Sequence, residues 1–288
     1  MKIGSFYEAG KPVLSLEIFP PKPDYPLGTI FQTVEELQKL NPKYISVTYG
    51  AGGGNGDRTV EIAARIKREY GIESLAHLTC VRHTKAEVNS ILENLLQENI
   101  RNLLALRGDP PEDDPGFDFN RQEYRYAYEL VEDVKKKADF GIAAAAYPEG
   151  HTECQRLSED LTFLKEKVER GVDFLLTQLF FDNRIYYEFV EKANRTGINC
   201  PIVPGIIPVL NAKQIKRIIY LCGASIPHNL LRLVDKYENS PADMEKAGIE
   251  YASKQVEDLL NNKVPGVHLY TMNKSVQIAE IVTNVGLA

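Results

Sequence analysis

The chain has 288 residues, 43% of them hydrophobic and 26% charged, the composition of an ordinary globular protein. Its net charge is −6 and its basic residues are spread along the chain, which argues against recognition of nucleic acid by charge. The longest apolar runs, such as Phe140 to Tyr147, are too short to span a bilayer. The start Met1-Lys2-Ile3-Gly4-Ser5 lacks the apolar centre of a secretion signal, so a cytoplasmic protein is expected.

In chain order, Val13–Phe19 predicts a strand and Thr29–Leu40 a helix. Tyr44–Thr48 and Ser74–Thr79 predict the next two strands, with helices over Asp57–Tyr70 and Thr84–Glu98. In the second of these, Val88, Ile91, Leu92, Leu95 and Leu96 recur at helical spacing, with Glu87, Glu93 and Glu98 on the other face. Asn102–Leu106 predicts a fourth strand, followed by an acidic loop and a helix from about Gln122 to Lys137. Gly141–Ala146, Phe174–Gln178 and Ile202–Ile206 predict strands five to seven, with helices over Thr152–Arg170, Asn183–Arg195 and Ala212–Leu221. Ile226–Leu260 predicts two further helices, Val267–Tyr270 a last strand and Lys274–Val285 a last helix. About eight βα units without a linker predict an α/β fold, a (β/α)8 TIM barrel with extra helices before its last strand. An open doubly wound sheet is the structural rival. The barrel's outer helices show no distinct interface stripe, so oligomeric state is left open.

Short motifs recur where these strands end: Ser15-Leu16-Glu17-Ile18-Phe19-Pro20-Pro21-Lys22, Ser46-Val47-Thr48-Tyr49-Gly50, His77-Leu78-Thr79-Cys80, Leu106-Arg107-Gly108-Asp109, Ala145-Ala146-Tyr147-Pro148-Glu149 and Thr177-Gln178-Leu179. In a closed barrel the strand C-termini share one mouth, so these fragments form one candidate site. Glu17 lies in an apolar strand, where desolvation is expected to disfavour its ionised form and suit it to act as a general acid. Pairing to Lys or Arg across the barrel is the structural alternative. The run Gly50-Ala51-Gly52-Gly53-Gly54-Asn55-Gly56 is neither a dinucleotide fingerprint nor a P-loop, because Asn55 and Asp57 stand where glycine and lysine would be needed. Taken alone, the run is better explained as a flexible turn than as a ligand loop. Arg107 suits a phosphate or carboxylate, and Asp109 a cationic or proton-donating ring. His77 and His151 lack a third ligand at metal spacing, and Cys80, Cys154, Cys200 and Cys222 form no C-x-x-C pair, so free thiols and no metal are expected. No Ser-His-Asp or Cys-His arrangement suggests covalent hydrolysis.

Together and in order, these motifs, with Tyr270-Thr271-Met272-Asn273-Lys274 near the end, resemble the short, bacterial-type, flavin-dependent methylenetetrahydrofolate reductases over nearly the whole chain. The resemblance implies one catalytic barrel over residues 1–288, without the regulatory domain of the larger eukaryotic enzymes. It implies non-covalent FAD and ping-pong reduction of 5,10-methylenetetrahydrofolate to 5-methyltetrahydrofolate by hydride from flavin N5. On this resemblance Glu17 is the general acid that helps open the folate's five-membered ring. Asp109 is the carboxylate near flavin and pterin, Gln178 contacts the pterin, and Tyr270 and Lys274 lie on the substrate side. Thr48, His77, Arg107, Gly108, Tyr126, Ala127, Ala145, Tyr147, His151, Asp160 and Lys167 line the FAD site, with Arg107, His151 and Lys167 toward the ribityl and pyrophosphate groups. Ile218 stands where enterobacterial-type sequences have Phe, and Lys274 where they have Arg. Both bear on the donor or the folate tail. The implied donor is NAD(P)H or, as in some acetogen members, an electron-delivering partner protein. Homo-oligomers are common among such enzymes. A non-catalytic folate-binding barrel and a metal-dependent aldolase are the alternatives from other classes.

Overall fold

Alternation along each strand decides what it buries on either side of the sheet. On β1 (Val13–Ile18), Leu14, Leu16 and Ile18 join the large outer core, packing with α1 (Gly28–Gln38) residues such as Ile30 and Val34. Val13 belongs instead to a separate inner cluster with Tyr44, Leu75, Leu104, Phe174 and Val203. The same two-sided burial holds for β2 (Tyr44–Val47), β3 (Glu73–Thr79), β4 (Asn102–Leu106), β5 (Gly141–Ala146) and β6 (Phe174–Thr177). These strands pair in parallel in chain order, which requires the helical crossovers between them. The computed structural model describes residues 1–22, 24–49, 56–111 and 113–287, without the side chains of Lys216, Arg217 and Leu221. The glycine-rich run at 50–55 lies outside the described residues.

Closure comes at the seventh strand position. β7 (Ile202–Val203) pairs with β6, and β8 (Gly205–Ile206) pairs with β9 (Gly266–Tyr270), which returns to β1. Pro204, lacking an N–H, separates the two halves, and its carbonyl accepts from His268 N at 2.9 Å. The nine short strands are therefore a (β/α)8 barrel, and the open sheet is excluded.

Local chemistry sets the helix ends. Thr84 and Glu87 form a reciprocal capping box on α3 (Lys85–Gln97). Asp182 caps α6 (Asn183–Thr196), which stops at Gly197, φ 93°. Two helices start later than their sequence pattern predicts. α4 (Ala127–Lys137) starts where it does because Glu129 reaches back to the amides of Arg125 and Tyr126. α5 (Leu157–Glu169) starts where it does because Asp160 holds the His151 amide and keeps residues 151–156 out of the helix. The remaining helices are α2 (Gly56–Tyr70), α7 (Ala212–Cys222), α8 (His228–Tyr237), α9 (Pro241–Asn261) and α10 (Ser275–Asn284), so α8 and α9 are the expected additions before the last strand. A 3-10 helix, Ile3–Ala9, adds Ile3, Phe6 and Tyr7 to the inner cluster and forms part of the barrel floor. No helix among the described residues is long and apolar enough to cross a membrane.

Candidate active site

Two residues above the floor, the inward positions turn polar. Ser15, Ser46, His77 and His268 are all buried, and Glu17 sits above them with 5% of its surface exposed. Register brings them together: Ser15 pairs with His268, and Glu17 with Tyr270 on one side and Ser46 on the other. The Glu17 carboxylate oxygen Oε2 accepts from Ser46 Oγ at 3.3 Å and lies 3.5 Å from His268 Nε2. His77 Nε2 lies 3.3 Å from the same oxygen, out of line for a hydrogen bond and without another partner among the described residues. Backbone contacts fix the strand end: Thr271 Oγ1 donates to Glu17 O, and the Asn273 side chain both donates to and accepts from the Phe19 backbone at 2.9 Å.

This corrects the expected charge state of Glu17. Burial pushes its carboxyl pKa upward, but the hydrogen bond with His268 and the proximity of both imidazoles outweigh it and hold the group at about 2. Glu17 is a carboxylate at neutral pH, and its partners are imidazoles rather than the Lys or Arg of the alternative.

A second group surrounds the ends of β4 and β5. The Arg107 guanidinium makes a forked pair with Glu153 at 2.6 and 2.7 Å and lies over the Phe119 ring, 4.2 Å from its centroid. Asp109 is exposed just beyond, close enough for its charge to act on Tyr147 and Cys222. Tyr147 packs edge-on against His151 at 4.7 Å, and burial with the nearby carboxylates of Asp109 and Asp160 pushes its hydroxyl up to about 12. Lys167 Nζ donates to Ala145 O at 3.2 Å, and burial brings its pKa down to about 8 despite Asp160. Burial also lowers His151 and raises Asp160.

Thr48 is half-buried at the end of β2, and its carbonyl accepts from Thr59. Gln178 is half-buried at the end of β6, its side-chain oxygen accepting from Leu179 N, and Tyr270 OH donates to Thr177 O at 2.6 Å. Tyr126 and Lys274 stand exposed at the N-caps of α4 and α10, and Ala127 is buried in the first turn of α4. These three lie outside both hydrogen-bonded groups. Gly108 has φ 87°, and a Cβ there would come within 2.5 Å of Val81. All four cysteines are free thiols.

A family model described as methylenetetrahydrofolate reductase matches residues 2–286. The chain belongs to the methylenetetrahydrofolate reductase family. It is 37% identical over 262 residues to the 5,10-methylenetetrahydrofolate reductase of Escherichia coli (strain K12), covering 91% of this chain and 86% of that protein. It is 34% identical over 297 residues to methylenetetrahydrofolate reductase (NADH) 1 of Arabidopsis thaliana, covering 99% of this chain. The chain spans about half the length of the plant relatives it matches. Among solved structures, a Clostridium thermocellum protein described as binding two copies of 5-methyl-5,6,7,8-tetrahydrofolic acid superposes with a TM-score of 0.63, covering 99% of this chain and 98% of that one. At 13% identity that likeness concerns the fold.

His268 carries no strand-end motif, and sequence reasoning did not single it out in this reductase-family chain. The available signal was its position two residues before Tyr270, which places both on the inward face of β9. Thr79 was likewise passed over. It is two residues beyond His77 on the same face, and its hydroxyl is buried with no partner among the described residues.

Proposed function

We infer that this protein reduces 5,10-methylenetetrahydrofolate to 5-methyltetrahydrofolate with bound FAD, supplying methyl groups to one-carbon metabolism and methionine synthesis. The observation that carries this reading is a buried carboxylate set against two imidazoles at the barrel mouth, in a chain of this family. The residues present fit a flavin. His77 Nε2 and Thr79 Oγ1 are buried polar atoms without hydrogen-bond partners among the described residues, and buried polar groups normally have one. Arg107 and Lys167 supply positive charge for a pyrophosphate, with His151 beside them. Glycine at 108 is required by both its backbone conformation and the lack of space for a Cβ.

When bound, FAD would supply a two-electron store, filled by a donor and emptied by folate in ping-pong turnover. The protein's part is to hold, orient and move protons. Thr48, Gly108, Tyr126, Ala127 and Ala145 line the cofactor, while Tyr147 and Asp160 support His151 and Lys167 beside it. Gln178 orients the pterin through its amide, and Tyr270 and Lys274 face the rest of the folate. Asp109 favours the cationic form of the substrate. Glu17 delivers a proton to the ring nitrogen that departs as the five-membered ring opens. The electron pair of the broken C–N bond stays on that nitrogen, and an iminium remains to accept hydride.

Several finer points belong to the same reading. The barrel acts as one catalytic unit, and it works in the cytoplasm. The plant relatives' names specify NADH, which makes NADH the first donor to try, with NADPH and an electron-delivering protein next. The test is to purify the protein, release its chromophore by heat and identify it by chromatography. About one FAD per barrel is expected. A chain that stays colourless after incubation with FAD contradicts the reading. A flavin that is reduced by donor yet never reoxidised by methylenetetrahydrofolate marks a folate-binding barrel without turnover.

A further inference from the structure

The Arg107 guanidinium already has a forked partner. Its Nη1 and Nη2 each donate to one oxygen of Glu153, at 2.7 and 2.6 Å, while the group lies over the Phe119 ring. The same fork is the geometry with which an arginine takes a phosphate, so a carboxylate here and a diphosphate call on the same two donors. The two partners are unequally held. The Arg107 side chain is 17% exposed at the end of β4, whereas that of Glu153 is 54% exposed on the turn between β5 and α5. That turn is anchored through its backbone: the Glu153 amide donates to His151 Nδ1 at 3.2 Å, and the Cys154 amide to His151 O at 2.8 Å. Rotating the Glu153 side chain into water breaks neither contact.

Charge favours an exchange. In this group Arg107 and Lys167 face the carboxylates of Asp109, Asp160 and Glu153, and burial keeps His151 toward its neutral form. Two cations against three carboxylates leave the group negative, a poor host for a doubly charged diphosphate. Asp160 is tied to the His151 amide. Glu153 is the carboxylate bonded to Arg107 itself, and an ion pair with one exposed partner is weak enough to give way.

We propose that Glu153 competes with the diphosphate of FAD for the Arg107 fork, and so sets how tightly the flavin is held and how readily it exchanges. The carboxylate occupies the fork until phosphate oxygens take it, then turns to water. Only hydrogen bonds change hands, and no covalent bond forms or breaks. Glu153 is thus an affinity-setting residue and not a catalytic one. Removing its charge should improve cofactor binding, the opposite of what the loss of an ordinary site residue does.

This inference rests on the FAD-binding reading above, and its test separates the two. The isolated flavoprotein is diluted in steps and the released flavin is followed by fluorescence, which gives a Kd without any turnover. If the native protein neither carries nor takes up FAD, the functional reading itself falls, and this inference with it. If it binds, Glu153→Gln is expected to lower the Kd by about 3–10-fold, and Glu153→Ala to do the same, because neither side chain holds Arg107 by charge. Arg107→Gln should raise the Kd by at least about tenfold. In that background Glu153→Gln should change nothing further, since the competition runs through the fork. A Kd that stays the same or rises in both Glu153 variants overturns the proposal. So does an Arg107→Gln protein of native affinity, or a tightening of equal size in the Arg107→Gln background, which would mark a long-range effect of charge.

Discussion

The floor and the mouth of this barrel are built by the same strands at inward positions a few residues apart, and they differ in almost every physical respect. At the floor, Val13, Tyr44, Leu75, Leu104, Phe174 and Val203 pack together with the N-terminal 3-10 helix. Its principal polar contact there, between the Tyr7 and Tyr44 hydroxyls at 2.9 Å, is satisfied. One or two inward steps along β1, β3 and β9, the residues become Ser15 and Glu17, His77 and Thr79, His268 and Tyr270. There the groups are polar, Glu17 is a carboxylate, and two buried polar atoms lack partners among the described residues. The difference teaches that the floor is arranged to stabilise the fold, while the mouth accepts electrostatic cost in exchange for chemistry.

The largest effect should separate the two regions outright. Glu17→Gln is expected to slow flavin reoxidation by methylenetetrahydrofolate ~10²–10⁴-fold, the range of a lost general acid, while the protein keeps its flavin. A matching loss of flavin or of thermal stability would mean that Glu17 belongs to the scaffold. Phe174→Ala makes the converse change. It should cost about 3–5 kcal/mol of stability in denaturant unfolding and leave the reoxidation rate per folded molecule near native. A selective loss of rate would break the division of labour.

Lys167 sharpens the comparison through pH. Its ammonium, lowered to about 8 by burial, is charged at pH 7 and gives up its proton as pH rises through that value. An anionic pyrophosphate favours the charged form, so FAD affinity should be full below pH 8 and weaken above it, by at most about tenfold per pH unit for one proton. Lys167→Met should bind FAD more weakly at pH 7 and lose that slope, as followed by flavin fluorescence titration. An unchanged slope would remove Lys167 from the cofactor site. The smallest effect belongs to the floor: Tyr7→Phe should cost ~1 kcal/mol, visible as a lower melting temperature, without altering reoxidation.

Much of the fold was legible from the chain itself. β4 and β5 fall within the predicted limits, because Val, Leu, Ile and Ala runs bounded by loops leave little choice for a strand buried on both faces. The helix starts at Ala127 and Leu157 were not legible, since each depends on one carboxylate, Glu129 or Asp160, choosing a backbone amide. At the site, the strand-end motifs pointed to Glu17, His77 and Arg107. The charge of Glu17 was misjudged because its sequence neighbours, Leu16 and Ile18, speak only for desolvation. The groups that reverse the sign come from β3 and from β9, with His268 251 residues away in sequence. Only the barrel's register brings them within reach, and no local pattern around His268 announces it.

The most direct measurement is an anaerobic visible spectrum of the purified protein before and after adding 5-methyltetrahydrofolate. The account predicts an oxidised flavin spectrum that bleaches as the methylfolate gives back its hydride, with no other donor present. A flavin spectrum that stays unchanged under saturating methylfolate would contradict the assignment of folate chemistry to this barrel mouth.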